Sequence, residues 1–321
     1  MEFIFKRFGV VTIVAVYLLI AVGGVVRCTG SGMGCPDWPK CFGQWVPPTD
    51  LSQLPTDYKT RFKVVGKEIA DFDVFKTWTE YVNRLIGVLI GFFIFLTLLG
   101  SLVYWRKDKP VFWLSLLSFL LVAFQGWLGA KVVASNLNPF IITLHMLLAL
   151  VIVMALIYAV TRSYTQSMRS LYPTEGLSKL NLFLTIALAL SLLQVLLGTQ
   201  VREGVDHLAV LNHDQNRHLW LDEIGSWFIA HRTLAWAVIA VNAYVGWLAW
   251  TYSKQTGPVW QWTVVVLVVL GLEVLSGLLL VYLHLPNYMQ PVHLLFGSVL
   301  FGVQFILLML LNKHRIGQQA A

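Results

Sequence analysis

Three histidines and one glutamate stand where an apolar chain has no ordinary use for them. His145, His231, His293 and Glu80 all fall near the ends of long apolar runs. Ionisable side chains within membrane-length runs are costly and mark functional sites by default. One such histidine alone would be explained by a hydrogen bond to a neighbouring helix. Two at one depth in a four-helix unit, as expected for His231 and His293, place two imidazoles across a bundle core. That is what axial ligation of a haem iron requires. Zinc would need three or four ligands, and no further His or Cys falls at that depth. The pattern predicts a bis-histidine haem in the C-terminal half.

An internal repeat sharpens this. "NRLIG" at 83–87 resembles "HRTLA" at 231–235, and Arg84 to Arg232, Gly129 to Gly277 and His145 to His293 are each 148 positions apart. "GGVVR" ending at Arg27 matches "GTQVR" ending at Arg202 with an offset of 175, which is 27 residues more. The extra residues belong to the first outer loop of the N-terminal half. At the shared offset His231 corresponds to Asn83, a poor ligand for iron, and Phe228 corresponds to Glu80. The N-terminal unit would therefore hold a haem through His145 alone, with an open iron position and a carboxylate nearby. Glu80 also stands four residues before Arg84, the favourable spacing for an ion pair on one helix face.

The elements that position these residues follow from composition. Of 321 residues, 57% are hydrophobic and 12% charged, the profile of a polytopic membrane protein rather than a soluble domain. Runs of about 20 apolar residues, enough to cross a bilayer, occur at 8–26, 79–104, 111–134, 140–161, 180–201, 226–252, 258–283 and 289–312. The expected fold is an all-α integral membrane protein with eight transmembrane helices. They form two tandem four-helix bundles, 1–165 and 166–321, related as parallel repeats because each half has an even number of spans. The first run shows no small-residue cleavage site and reads as a retained helix.

The net charge of +7 does not indicate nucleic acid, because the cations sit in short loops. Lys6 and Arg7, Arg106, Lys107 and Lys109, Arg162, Arg169 and Lys179, Lys254, and Lys313 and Arg315 all fall on one side. Short basic loops mark the cytoplasmic face, so both termini are expected inside and the loop at 27–77 outside. Cys35 and Cys41 in that loop would face an oxidising compartment, where a disulfide can form and persist. The pair reads either as a structural staple or as a redox-active ring, and Cys28 reads as an unpaired thiol. Arg27 and Arg202 at outer helix ends suit haem propionates or snorkelling to lipid phosphate, as does Lys131. His207, His213 and His218 share a polar loop with Asp206 and Asp214, where a metal is conceivable but solvation is the simpler reading. His314 belongs to the C-terminal tail.

"CPDWPKC", "EYVNR", "TLHMLLA", "HRTLAW" and "PVHLLFG", in this order, together resemble the haem A synthase family across the membrane domain. The resemblance implies an oxidoreductase that converts the C8 methyl of haem O to the formyl of haem A for terminal oxidases. It implies haem b on His231 and His293 with Arg202 beside it. It places the substrate haem O near His145, Asn83, Arg27 and Arg84, with Glu80 catalytic and the cysteine pair handling electrons or haem. It implies a bacterial cytoplasmic membrane, haem O supplied by a farnesyltransferase, an unidentified electron donor, surrounding lipid and compatibility with a homo-oligomer. The family pattern reads Glu-x-x-His-Arg on the second helix, and here Asn83 replaces its histidine. The rival readings are a non-catalytic, quinol-linked b-type cytochrome and a transporter on the same repeat. Against the transporter, no helix is evidently broken at mid-membrane.

Overall fold

The computed structural model describes residues 2–66, 68–165, 177–253 and 257–312. Arg169, Lys254, Lys313, His314 and Arg315 lie outside these residues. The main elements are helices α1 (Glu2–Cys28), α2 (Val74–Ser101), α3 (Lys109–Ala134), α4 (Pro139–Thr165), α5 (Leu177–Leu211), α6 (Ser226–Ser253), α7 (Gly257–Tyr282) and α8 (Met289–Leu311). Among the described residues these eight helices are long and apolar enough to cross a membrane. The protein is all-α and multi-pass.

Local chemistry sets the ends. The Asp73 carboxylate caps α2 by accepting the Lys76 N–H at 3.0 Å, which supplies one of the orphan donors of a helix start. Asp108 precedes α3 without capping it, because Arg162 on α4 takes its carboxylate through Nε at 2.7 and 2.9 Å. Arg162 is only 1% exposed, so a residue expected as a loop cation is instead a buried tie between neighbouring helices. The turns after α3 and α7 match: Asn136 and Leu137 have φ of 54° and 61°, His284 and Leu285 of 56° and 60°. In each, a leucine N–H returns to a carbonyl five residues back, Leu137 to Val132 and Leu285 to Leu280, the bond that closes a Schellman-type end.

The expected fifth span ended at 201, but α5 continues to Leu211. Arg202, Glu203, Asp206 and His207 end the hydropathic run without ending the helix. The reason is that Asp206 pairs with Arg202 one turn earlier and with Arg27 of α1. Asp206 and His207 thus lie on a helix, not in the polar loop where the sequence put them.

Helices α1 to α4 pack as a closed ring, each against its chain neighbour and α1 against α4; α5 to α8 do the same. The two rings meet where α8 packs on α1 and α4. One apolar core lies between α5, α6, α7 and α8, built on Leu184, Val245, Val266 and Leu307. Another joins α1, α2 and α4 around Val16, Ile94 and Val153.

Candidate functional site

His231 and His293, each in the second turn of its helix (α6 and α8), face each other with ring centroids 6.2 Å apart and planes at 77°. A metal–imidazole bond of about 2 Å on each side, with the ring radii added, requires roughly 6 Å between centroids. The two rings therefore have the separation at which one iron can be held from both sides. Glycines give them room. A Cβ at Gly198 would lie 3.3 Å from His231 Cε1, and one at Gly277 would lie 3.1 Å from His293 Cε1. The ring nitrogens differ in their partners. His293 Nδ1 meets Ser276 Oγ at 2.9 Å and Glu273 Oε1 at 3.3 Å. His231 Nδ1 is buried and makes no hydrogen bond, and its Nε2 has a long 3.4 Å contact with Gln194. Buried polar atoms are normally satisfied, so the unbonded Nδ1 of a ring 6.2 Å from a second imidazole leaves a nitrogen available to a metal. The donor set fits a haem.

In the N-terminal ring, His145 in the second turn of α4 repeats the position of His293. A Cβ at Gly129 would lie 3.5 Å from its Cε1. Its Nδ1 is buried without a hydrogen bond, while its backbone carbonyl accepts from Gln125 Nε2 at 2.6 Å. At the position that corresponds to His231 the sequence supplies Asn83 in place of an imidazole. At Gly23, the counterpart of Gly198, an added Cβ would meet nothing within 4 Å. This unit offers one imidazole and free space, where the other offers two.

Glu80 is 6% exposed and lies one turn before Arg84 on α2. Arg84 Nε donates to Glu80 Oε1 at 2.9 Å, so the ion pair anticipated from spacing is present. Arg84 also reaches out of the helix. Its Nη1 donates to the carbonyls of Asp37 and Lys40 at 2.7 and 3.2 Å, and its Nη2 donates to that of Cys35 at 2.8 Å. In the C-terminal ring the corresponding residues are Phe228 and Arg232, whose guanidinium lies 5.5 Å from the phenyl centroid.

The ring that Arg84 holds is closed by a disulfide between Cys35 and Cys41, both fully buried. They sit in a cluster with Phe42, Leu54 and Tyr58, and Phe42 packs edge-on against Tyr58, Phe62 and Phe72. The loop is bound to the start of α2 by Thr77 Oγ1 to Gly34 O at 3.0 Å, Trp78 Nε1 to Pro48 O at 3.2 Å and Tyr81 Oη to Trp45 O at 2.7 Å. Gly34 is required there, since a Cβ would collide with the Lys76 carbonyl. Cys28 is a free thiol.

Arg27 and Arg202 converge on one carboxylate. Arg27 reaches Asp206 at 2.7 Å and Arg202 at 2.5 Å. Arg202 also donates to Gln290 and, at 3.3 Å, to the Arg27 carbonyl. The sequence suggested propionate or lipid phosphate as their partner; here they share a protein anion across α1 and α5. Lys131 lies 5.5 Å from the Trp127 ring centre. Among the described residues no group of three or more His, Cys, Asp and Glu could hold a metal ion.

Sequence reading missed Glu273, Ser276, Gln125 and Gln194, all of which contact the candidate ligand histidines. A signal existed for Glu273, a carboxylate within an apolar run. The glutamines and the serine are too common in membrane helices to stand out alone.

The family model COX15-CtaA, described as cytochrome oxidase assembly protein, matches residues 6–305. The chain is 27% identical to heme A synthase of Geobacillus kaustophilus, over 98% of this chain and 94% of that protein. It is 25% identical to heme A synthase of Bacillus cereus over 100% and 97%. With heme A synthase of Pelagibacter ubique it shares 29% identity over 66% and 63%.

Proposed function

The chain belongs to the COX15-CtaA family of cytochrome oxidase assembly proteins, and from that premise we propose that it oxidises the C8 methyl of haem O to a formyl group in successive steps. At the coarser level it is an enzyme of haem A biosynthesis, an oxidoreductase acting between haem O and haem A. The non-catalytic cytochrome reading is not favoured, because the relatives that span the chain are named as synthases.

The two halves divide the work. Residues 166–321 would hold a resident haem b on His231 and His293, with Arg202 as a further binding residue. Residues 1–165 receive haem O as substrate on His145, beneath the 27–77 loop, with Arg27, Asn83 and Arg84 around it. The observation that carries this reading is the contrast between the halves. Two imidazoles face each other at 6.2 Å in one, while the other has His145 and, at the position corresponding to His231, Asn83. Haem b, when bound, would supply one-electron transfer.

The chain's own residues do the rest. His145 fixes the substrate from one side, and Asn83 leaves the other side accessible. Glu80 brings a carboxylate to that side, and Arg84 orients it by a charge-assisted hydrogen bond. Its role is to hold or move a proton at Oε1 or Oε2 as the methyl is oxidised. The apolar helices exclude bulk water from the reacting carbon. The basic loops support an orientation with both termini cytoplasmic and the disulfide ring outside, in the cytoplasmic membrane of a bacterium. A farnesyltransferase would supply haem O.

The test is extraction and chromatography of haems from the full-length protein purified after expression with haem O available. Haem A or its hydroxylated precursor supports the enzyme; haem b alone at full occupancy, with no haem O conversion, contradicts it.

A further inference from the structure

We infer that Glu273 and Ser276 on α7 are positioning residues for His293, fixing its ring so that the resident haem is retained and its ferric state stabilised. This rests on the haem reading of the C-terminal unit given above. Three observations carry it. First, both side chains converge on the same atom: Ser276 Oγ lies 2.9 Å from His293 Nδ1 and Glu273 Oε1 lies 3.3 Å from it. With Nδ1–H donated to that pair, the lone pair of a neutral imidazole resides on Nε2, the nitrogen left for iron. A carboxylate partner on the remote nitrogen also makes the imidazole a stronger donor.

Second, the backbone makes space for the carboxylate. A Cβ at Gly297, one turn beyond His293, would stand 3.0 Å from Glu273 Oε1. Third, the other half lacks the whole arrangement. At the 148-residue offset Glu273 is Gln125, Ser276 is Leu128 and Gly297 is Ala149. There His145 Nδ1 has no hydrogen bond, and the glutamine is spent on the His145 carbonyl. A general packing role for a polar residue near a helix end would not confine the carboxylate, the hydroxyl and the glycine to one half. Within the C-terminal unit the arrangement serves His293 and not His231, whose Nδ1 makes no hydrogen bond, so it fixes one of the two ligands of the resident cofactor.

The test uses the full-length, haem-loaded protein and two readouts apart from activity: the midpoint potential of the low-spin haem and the rate of haem transfer to apomyoglobin. Glu273→Gln and the double variant Glu273→Ala, Ser276→Ala should keep a low-spin spectrum. Their midpoint should shift to more positive values, because the weaker imidazole stabilises the ferric state less. Haem transfer should accelerate by about 10- to 100-fold in the double variant, the usual effect of removing a partner that orients a metal ligand. Gly297→Ala, which crowds Oε1 without removing it, should shift the midpoint in the same direction by less, and serves if the double variant fails to accumulate. Wild-type midpoint and transfer rate in these variants would overturn the inference alone. A wild-type protein with no low-spin haem would overturn it together with the reading on which it rests.

Discussion

Arg84 Nε donates to Glu80 Oε1 at 2.9 Å, so the carboxylate proposed for catalysis is paired with a side chain that also holds the cysteine ring. Glu80 and Arg84 have side chains only 8% and 13% exposed. Solvent does little to weaken such a pair, and removing either partner leaves the other's charge buried. Glu80 is thereby fixed in place from the 27–77 loop as well as by helix α2.

Replacing Glu80 by alanine should leave haem in both units but reduce methyl oxidation by about 10²- to 10⁴-fold, the range for loss of a positioned acid–base group. Phe228 stands at the matching position of the other half, so the helix tolerates loss of the carboxylate. Turnover of haem O by the purified variant measures this. Unchanged conversion would reduce Glu80 to a partner of Arg84.

Arg84→Ala should free three carbonyls of the cysteine ring as well as Glu80. Breaking a buried pair costs about 3–5 kcal/mol, and here the loss falls on the contact between loop and helix. Cys35 and Cys41, fully buried in the intact protein, should become alkylated faster after mild reduction. An unchanged alkylation rate would mean that the Phe42 cluster holds the ring without Arg84.

Asp206→Ala should leave Arg27 and Arg202 facing each other without their shared anion. Charged hydrogen bonds contribute about 1.5–3 kcal/mol each, and the loss lies between α1 and α5. Thermal unfolding in detergent should show a lower midpoint, with Asp206→Glu recovering part of it. A midpoint equal to that of the unaltered protein would show that other contacts already satisfy the two arginines.

Either His231→Ala or His293→Ala should abolish the low-spin bis-histidine spectrum, since each supplies one of two ligands. If both variants kept that spectrum at full occupancy, the C-terminal unit would not be the site of the resident haem.

Much of this was legible in residue order. Eight apolar runs gave eight helices, and the 148-residue offset reappears in backbone detail, down to the paired left-handed turns at Leu137 and Leu285. The convergence of His231 and His293 followed from their equal depth. The end of α5 was not legible, because hydropathy stops at Arg202 while the helix continues on ion pairs that hydropathy does not register. Arg84's grip on the cysteine ring was hidden for another reason: its acceptors are backbone carbonyls, and a carbonyl leaves no trace in residue type. Asp206 joins two arginines that are 175 residues apart, a relation that exists only once the helices have packed.

The most direct measurement is the spin state of the substrate iron. Asn83 and His145 are 62 residues apart, as are His231 and His293, so Asn83→His restores the symmetric pair. Electron paramagnetic resonance of the purified protein loaded with haem O should show a high-spin ferric signal from the N-terminal unit beside a low-spin signal from the C-terminal unit. In the Asn83→His variant the high-spin signal should convert to low-spin. A wholly low-spin spectrum from the unaltered protein with haem O bound would mean that another residue fills the second position, and would contradict the open substrate site.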